Sequence, residues 1–394
     1  MTLIKLNRKI FNKDFKIKSF EVYNKLSLSF LSDLANGIKR DKDAVKYPDL
    51  IYLMYWCSKQ IKLIKSKEKK FLAMGRGLAF HVCPSNVPTN FIYSFIFGLL
   101  SGNSNIVKIP NKNFTEKNIA LSILKNLLNK KIYRIFKETN QFIEYSSKAE
   151  ITKELSSVCD VRIIWGGDKT INEVRKNWIP EKTIDITFTD RYSFSVINID
   201  KLKKENEKKL YLIAKNFFYD GYIMNQKACN SPHFVFWLGK KDLELQNKFW
   251  KKLNEVVENK FKFDEVQAVE KYTNLLSNII NYKSFSKIKI LKNNNIFVLS
   301  SDKKIDQIEN IRGVNGTFFQ KNINKLTDLK DYVSKKCQTI TYYGLKKEEF
   351  KDFMLKNNLF GVDRLVPIGS SLEIDLIWDG YDVIKSLSRE VTFK

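Results

Sequence analysis

Only two histidines, His81 and His233, occur in 394 residues. That is too few to build a metal centre on imidazole ligands, and no metal site is expected. The five cysteines are odd in number and form no close pairs, which points to a reducing compartment rather than a disulfide scaffold. No Pro-, Gly- or Ser-rich linker and no internal repeat interrupts the chain. A signal-peptide core is missing, because Lys5, Arg8, Lys9, Lys13, Lys16 and Lys18 are scattered through the first apolar residues. The longest strongly apolar run near the centre, Phe91 to Leu100, would span about 15 Å as a helix, half a bilayer. It reads as a buried core helix, so no membrane span and a cytoplasmic location are expected.

What the chain has in excess is lysine. Lys and Arg number 69 against 43 Asp and Glu, a formal charge of +26. A hydrophobic fraction of 43%, with 17 Tyr, 29 Phe and 6 Trp, nevertheless excludes a disordered chain. The length suits two or three domains that bury about three quarters of the unfolded surface. Such a charge predicts contact with something acidic: nucleic acid, a membrane surface, or an anionic substrate or cofactor. The first seventy residues carry 17 basic and 7 acidic side chains and the last thirty-four carry 4 and 6. The charge is therefore spread over a folded surface rather than gathered on a basic arm.

From residue 78 strand and helix patterns alternate. Strands are predicted at Leu78–Val82, Ile106–Ile109, Gln141–Tyr145 and Val161–Trp165. Helices are predicted between them at Asn90–Leu100, Thr115–Leu128 and Ala149–Val158, and then at Lys169–Asn177. Short connections between such elements imply a parallel sheet covered by helices on both faces. A second α/β stretch follows. Strands are expected at Phe194–Asn198, His233–Trp237, Ile296–Leu299, Thr317–Ile323 and Thr339–Tyr343. Helices are expected over Lys203–Phe218, within Asp242–Ile280, and over Leu326–Lys335 and Lys346–Asn357.

Four places in this frame can carry chemistry. The loop from Tyr219 to His233 packs polar and reactive residues between two buried-looking elements, and Cys229 lies in it with Lys227 two residues away. A nearby cation favours the thiolate, the nucleophilic form. Taken alone, an inert thiol is the commoner fate of a cysteine. Cys57, Cys83, Cys159 and Cys337 sit in or beside apolar runs and read as structural. Asn86, between Pro84 and Pro88, is an amide held by a rigid loop; it can donate to an oxyanion or simply complete a turn. Lys108 ends a β-branched strand, from which it can reach a cofactor or simply face solvent. Gly166 and Gly167 open a helix after a strand, where backbone N–H groups can receive phosphate.

The order of these features is more specific than any one of them. The chain resembles the aldehyde dehydrogenase superfamily, and within it the acyl-CoA reductase family typified by the fatty-acid reductase of bacterial bioluminescence. The resemblance rests on Gly77-Leu78-Ala79-Phe80-His81 leading into Pro84-Ser85-Asn86-Val87-Pro88, and on Asn225-Gln226-Lys227-Ala228-Cys229-Asn230-Ser231-Pro232. It rests also on Asp363-Arg364-Leu365-Val366-Pro367-Ile368-Gly369 and Ile377-Trp378-Asp379-Gly380-Tyr381-Asp382. It covers roughly residues 70 to 394, and the first seventy residues look like a reduced form of the family's amino-terminal region.

The resemblance implies an α/β, aldehyde dehydrogenase-like fold: a Rossmann-type cofactor-binding domain plus an α/β catalytic domain. The expected boundaries are 1–192 for the amino-terminal region and NADP-binding domain, 193–362 for the catalytic domain, and 363–394 for a closing segment that packs on the rest. It implies Cys229 as nucleophile, with Asn86 and the Cys229 N–H as the oxyanion hole. Lys108 and Asn111 are expected at the cofactor ribose, with Gly166 and Gly167 at the pyrophosphate. Where NAD-preferring relatives carry a ribose-binding glutamate, this chain has Asn111 followed by Lys112. A carboxylate there would repel a 2′-phosphate and an amide beside a cation would not, which favours NADPH. The stretch matching the general-base glutamate of hydrolytic relatives is Thr187-Phe188-Thr189-Asp190-Arg191, without glutamate.

The expected activity is NADPH-dependent reduction of an acyl-CoA or acyl-carrier thioester to an aldehyde through an acyl group on Cys229. The partners expected are that thioester, an acyl-activating enzyme and further copies of the chain, with no nucleic acid. An aldehyde-oxidising or CoA-acylating dehydrogenase is the alternative within the superfamily, and a basic nucleic-acid-binding protein the alternative of another class. His233 is a candidate general acid or a strand-start histidine, and His81 is expected to be structural.

Overall fold

In the computed structural model, residues 11–65, 72–84, 87–146 and 150–393 are described. They divide into two compact units, residues 1–190 with 374–394, and residues 191–373.

The first unit is built on strands β1 (Leu72–Gly75), β2 (Leu78–Val82), β3 (Ser104–Lys108), β4 (Asn140–Ile143), β5 (Val161–Trp165) and β6 (Ile184–Phe188). The last five form one parallel sheet in the order β4-β3-β2-β5-β6. The chain starts in the centre at β2, works outward through β3 to β4, then returns to the other side of β2. The order therefore reverses between β2 and β5, and in open parallel sheets ligands bind at the carboxyl ends of strands at such a reversal. β6 carries Asp185, a poor strand residue. Its carboxylate is held by Arg162 (2.9 Å) and Arg175 (2.8 Å).

The apolar run does form a core helix. All eleven residues of Asn90–Leu100 are buried, and no described helix is long and apolar enough to cross a membrane. Helices Lys25–Arg40 and Pro48–Lys65 pack into the same core through Phe30, Leu34, Leu53 and Trp56. Asn24 caps the first of them by accepting from Ser27 N at 2.9 Å.

A chain of buried polar side chains ties the Asn90–Leu100 helix to the sheet. Trp165 Nε1 donates to Ser94 Oγ (3.0 Å), and Ser94 Oγ lies 2.7 Å from His81 Nδ1. His81 Nε2 meets Asn105 Oδ1 at 3.0 Å, and Asn105 Nδ2 donates to Asn140 Oδ1 at 2.7 Å. An amide oxygen can only accept, so the ring proton sits on Nε2 and Ser94 donates to Nδ1. Burial pulls His81 down to about 4, which keeps the ring neutral. Its role is structural.

The second unit carries β7 (Tyr192–Asn198), β8 (Pro232–Leu238), β9 (Lys287–Ile290), β10 (Phe297–Ser300), β11 (Thr317–Ile323), β12 (Cys337–Tyr343) and β13 (Arg364–Pro367). Their order is β13-β12-β7-β8-β11-β10-β9, parallel except for the antiparallel edge strand β9. Two apolar layers cover its faces, one around Phe194, Phe236 and Phe319, the other around Phe217, Trp237 and Trp250. The predicted Leu326–Lys335 helix is a single 3-10 stretch, Leu326–Tyr332, because Asp328 takes the Asn324 and Lys325 N–H groups and tightens the turn. Residues 374–394 complete the first unit with β14 (Ile377–Trp378), β15 (Tyr381–Asp382) and β16 (Ser388–Val391), the last paired antiparallel with β1.

Gly98 allows the Asn90–Leu100 helix to lie this close to the sheet. A Cβ there would run into Asn105 Oδ1 and come within 2.9 Å of His81 Nε2. Gly98→Ala should therefore cost about 1–3 kcal/mol through overpacking, read as a lower urea midpoint; an unchanged midpoint would refute the close-packing role.

Candidate functional site

In the first unit the carboxyl ends of β2, β3 and β5 bring several predicted residues to one edge of the sheet. Val82 is in register with Lys108, and β5 runs directly into Gly166 and Gly167. Lys108 is partly buried, with Nζ 4.6 Å from the centre of the Tyr145 ring. Burial lowers its pKa, and the neighbouring Cys83 opposes this only in part. Asn111 is exposed and donates from Nδ2 to the Tyr145 carbonyl at 3.0 Å, so Tyr145 links the two predicted cofactor residues.

Gly167 caps the helix Asp168–Arg175 with φ of −70°, and Gly166 N donates to the Phe188 carbonyl. Neither glycine is required by a left-handed backbone. A Cβ on Gly167 would meet nothing within 4 Å, so the approach to this helix start is open. An open glycine at a helix N-terminus, beside the strand-order reversal and a lysine, fits a nucleotide cofactor's phosphates and ribose. Asn86 lies outside the described residues. Among those described, no group of three His, Cys, Asp or Glu side chains could hold a metal ion.

In the second unit the loop that carries Cys229 is shorter than its sequence suggests. The helix begins at Glu207, capped by Asn206, and runs to Tyr222. Tyr222 is fully buried, stacks on Phe218 and donates to the Asn295 carbonyl at 3.0 Å, which holds the last turn helical. The loop proper is residues 223–231. Asn225 and Gln226 turn it with φ of 52° and 59°, an uncommon backbone for non-glycine residues. The buried Gln226 amide holds that turn. Its Oε1 accepts from Gly316 N (2.8 Å) and Thr317 N (3.1 Å), and its Nε2 donates to the Thr317 (3.0 Å) and Pro232 (3.3 Å) carbonyls.

Cys229 stands half-buried on this support. Ser193 Oγ donates to its carbonyl at 2.7 Å and accepts from Thr339 N at 3.2 Å. Beside it the β7–β8 register slips between Ser193 and Phe194, a bulge of the kind that re-aims side chains near functional loops. Asn230 donates from Nδ2 to the Ser371 carbonyl at 2.6 Å. The other four cysteines are buried; burial pushes Cys83 and Cys159 up to about 12, and Cys57 and Cys337 higher still.

Two sequence expectations change here. Lys227 pairs with Glu270 at 2.8 Å, so its charge is already balanced. His233 is buried, and Gly313 N donates to its Nδ1 at 3.1 Å. Burial, with Arg312 adding to it, pulls His233 down to about 3, which leaves it neutral and unsuited to give up an imidazolium proton.

Sequence reasoning also missed what supports the loop from behind. Asp220, fully buried, accepts from Gly369 N (2.7 Å) and Ser371 N (2.9 Å), while Arg364 donates to the Ser371 (2.8 Å) and Glu373 (2.6 Å) carbonyls. These residues fix the carbonyl that Asn230 grips. The motif around Arg364 was visible in sequence, but the partner on Asp220 was not, 149 residues away from Gly369.

A benzaldehyde dehydrogenase of Corynebacterium glutamicum described as NAD-dependent superposes with a TM-score of 0.62 at 10% identity, over 92% of this chain and 84% of that one. A glyceraldehyde-3-phosphate dehydrogenase of Methanocaldococcus jannaschii, solved with NADP, gives 0.63 at 12% identity, over 93% and 88%. The fold is that of the aldehyde dehydrogenases. The acyl-CoA reductase (LuxC) family profile matches residues 62–390, and the chain belongs to that family. A long-chain acyl-protein thioester reductase of Vibrio harveyi is 26% identical over 330 residues, 82% of this chain and 64% of that protein. One from Photorhabdus laumondii is 24% identical over 83% of this chain and 65% of its own length. The chain thus spans under two thirds of the length of these relatives.

Asp220 links this site to pH. Burial pushes its carboxyl up to about 7, against the Gly369 and Ser371 N–H donors and Arg364; the ordinary value is 3.8. Between about pH 4 and 7 the folded chain keeps a proton that the unfolded chain releases, so stability falls as pH rises across that window and levels above it. Asp220→Asn cannot titrate and should flatten that fall. Urea midpoints of both proteins at about pH 5 and pH 8 test it; parallel pH profiles would refute it.

Proposed function

We propose that this protein is an NADPH-dependent acyl-thioester reductase that forms an aldehyde through an acyl group carried on Cys229. The carrying observation is that Cys229, of the five cysteines, is the one not buried, on a loop fastened by Gln226, Ser193 and Asn230. Family membership and the names of the relatives support the reaction class.

The steps balance simply. The Cys229 thiolate attacks the thioester carbonyl, and the Cys229 N–H and the Asn86 amide are the donors assigned to the oxyanion. The incoming C–S bond replaces the outgoing one, and the CoA or carrier group leaves as a thiolate that takes up a proton from water. Thioester exchange is nearly isoenergetic, so the barrier lies in geometry and charge rather than bond strength. When bound, a nicotinamide cofactor would supply the hydride that reduces the acyl carbon. The resulting thiohemiacetal collapses to aldehyde and free Cys229.

Lys108, Gly166 and Gly167 would hold the cofactor, with Asn111 and Lys112 turned to the adenosine ribose. The exposed Asn111 and Lys112 place no carboxylate of their own against a 2′-phosphate, which supports NADPH over NADH. Protection from hydrolysis is supported by the Thr187–Arg191 stretch. Thr187 and Phe188 belong to strand β6, and Arg191 is committed to Asp363 and to the Lys336 and Cys337 carbonyls. Asp190 is the one carboxylate of that stretch.

Cys229→Ala should lose aldehyde formation by at least about a thousand-fold and lose covalent acyl labelling with it, read by mass spectrometry after exposure to acyl-CoA. Labelling that persists on another cysteine would sink the assignment. Asn111→Glu should shift the ratio of kcat/KM values from NADPH toward NADH by about tenfold or more; an unchanged ratio would overturn the cofactor reading.

A further inference from the structure

Three hydrogen bonds hold the turn that follows β3. Ile109 N donates to the Ile143 carbonyl at 2.9 Å, and Asn111 Nδ2 donates to the Tyr145 carbonyl at 3.0 Å. Between them, Lys117 of the Thr115–Leu128 helix donates from Nζ to the Pro110 carbonyl at 2.9 Å. Lys117 is buried, with 6% of its side chain exposed. An ammonium is rarely withdrawn from water unless an opposite charge faces it. Here that charge is Glu144, which directly follows β4 and lies 3.6 Å away with 47% of its side chain exposed. The adjacent Glu116 is within charge range of Asp49 on the Pro48–Lys65 helix.

The pair adjoins the residues assigned to the adenosine ribose. The Pro110 carbonyl carbon is bonded to Asn111 N, so the Lys117 ammonium stands within about 5 Å of the Asn111 backbone. Glu144 is bonded to Tyr145, whose ring carries Lys108 Nζ at 4.6 Å and whose carbonyl holds Asn111. Lys112 completes the set, exposed and with Nζ 5.2 Å from the centre of the Phe114 ring. Three lysines thus meet one carboxylate. Among these residues Glu144 carries the charge that would oppose a 2′-phosphate, and charges in water still act over about 10 Å at ordinary salt.

We propose that the Lys117–Glu144 ion pair sets the choice of cofactor. By covering the Glu144 carboxylate, Lys117 leaves the turn open to a 2′-phosphate; uncovered, Glu144 would favour the unphosphorylated ribose. The inference rests on the reading of Lys108, Asn111 and Lys112 as the adenosine-ribose site. A carboxylate near a strand end in such a sheet accepts from ribose hydroxyls when it is free, and repels a phosphate for the same reason. The exposed Glu144 has room to turn toward a ligand, whereas the buried Lys117 is kept in place by the Pro110 carbonyl. A role for Lys117 confined to bracing Pro110 makes a different prediction, since it would weaken both cofactors alike and give Glu144 no part.

Adenosine 2′,5′-diphosphate and adenosine 5′-monophosphate differ by the 2′-phosphate alone and undergo no reaction. The ratio of their Kd values, measured by isothermal titration calorimetry on the full chain, reads the pair directly. Glu144→Gln leaves Lys117 on its carbonyl and should raise the preference for the diphosphate about threefold. Lys117→Met should lower it at least about threefold. The double variant, with the same net charge as the natural pair, should return it to within about twofold. At about 1 M salt, where charges are screened within about 3 Å, the ratios should converge. A natural chain that does not prefer the diphosphate overturns the ribose-site reading and the inference with it. A natural chain that prefers it, with a ratio that Glu144→Gln leaves unchanged, overturns the inference alone. A Lys117→Met protein that binds both nucleotides more weakly at an unchanged ratio does the same. If Lys117→Met does not fold, Glu144→Gln decides by itself.

Discussion

The Gln226 side-chain amide is the fastening on which the path of the Cys229 loop depends. An amide offers two donor hydrogens and an acceptor oxygen with two lone pairs, and here all four are used on backbone groups. Those groups belong to the start of β11 and the start of β8, so one side chain joins two adjacent parallel strands to the turn that precedes β8. Removing water from such an amide is costly unless every bond is made. That cost gives the loop one conformation, with Asn225 and Gln226 kept in a left-handed backbone that the local sequence would not choose. Cys229 follows three residues later and inherits that fixed path.

The first unit uses the same device with a different set of side chains. Trp165, Ser94, His81, Asn105 and Asn140 form one directed run of hydrogen bonds from β5 through the core helix to β4. Each member is satisfied by the next, so the network holds register where apolar packing alone would tolerate slip. It runs through β2 and β5, between which the strand order reverses, and so steadies the edge where Lys108, Gly166 and Gly167 emerge. In both units the groups assigned to chemistry stand on short exits from strands whose positions are set by buried polar contacts.

Much of this was legible from residue order. Alternating strand and helix patterns between residues 78 and 177 gave the parallel sheet, because apolar periods are local and short connections leave few topologies. The apolar stretch around Phe95 was rightly read as core rather than membrane, since its length is set by counting. What stayed hidden depends on partners distant in sequence. Gln226 looked like one more polar loop residue, three of its four partners lying 90 and 91 residues away. Lys227 looked like a cation for the thiol until Glu270 came to it, and His233 looked like an acid until burial made it neutral. Strand β6 was missed because Asp185 is tolerated there by two arginines that no local pattern reveals.

The sequence by itself determined the fold class and the family, and it offered residues whose types suit the proposed reaction: a thiol in a polar loop, a lysine at a strand end, glycines at a helix start. These follow from side-chain chemistry and from spacing along the chain. The tertiary structure decided which thiol is spared from burial, which charges are already paired, and which carbonyls and amides hold the loop. Burial and pairing are properties of neighbours in space, and only folding chooses those neighbours.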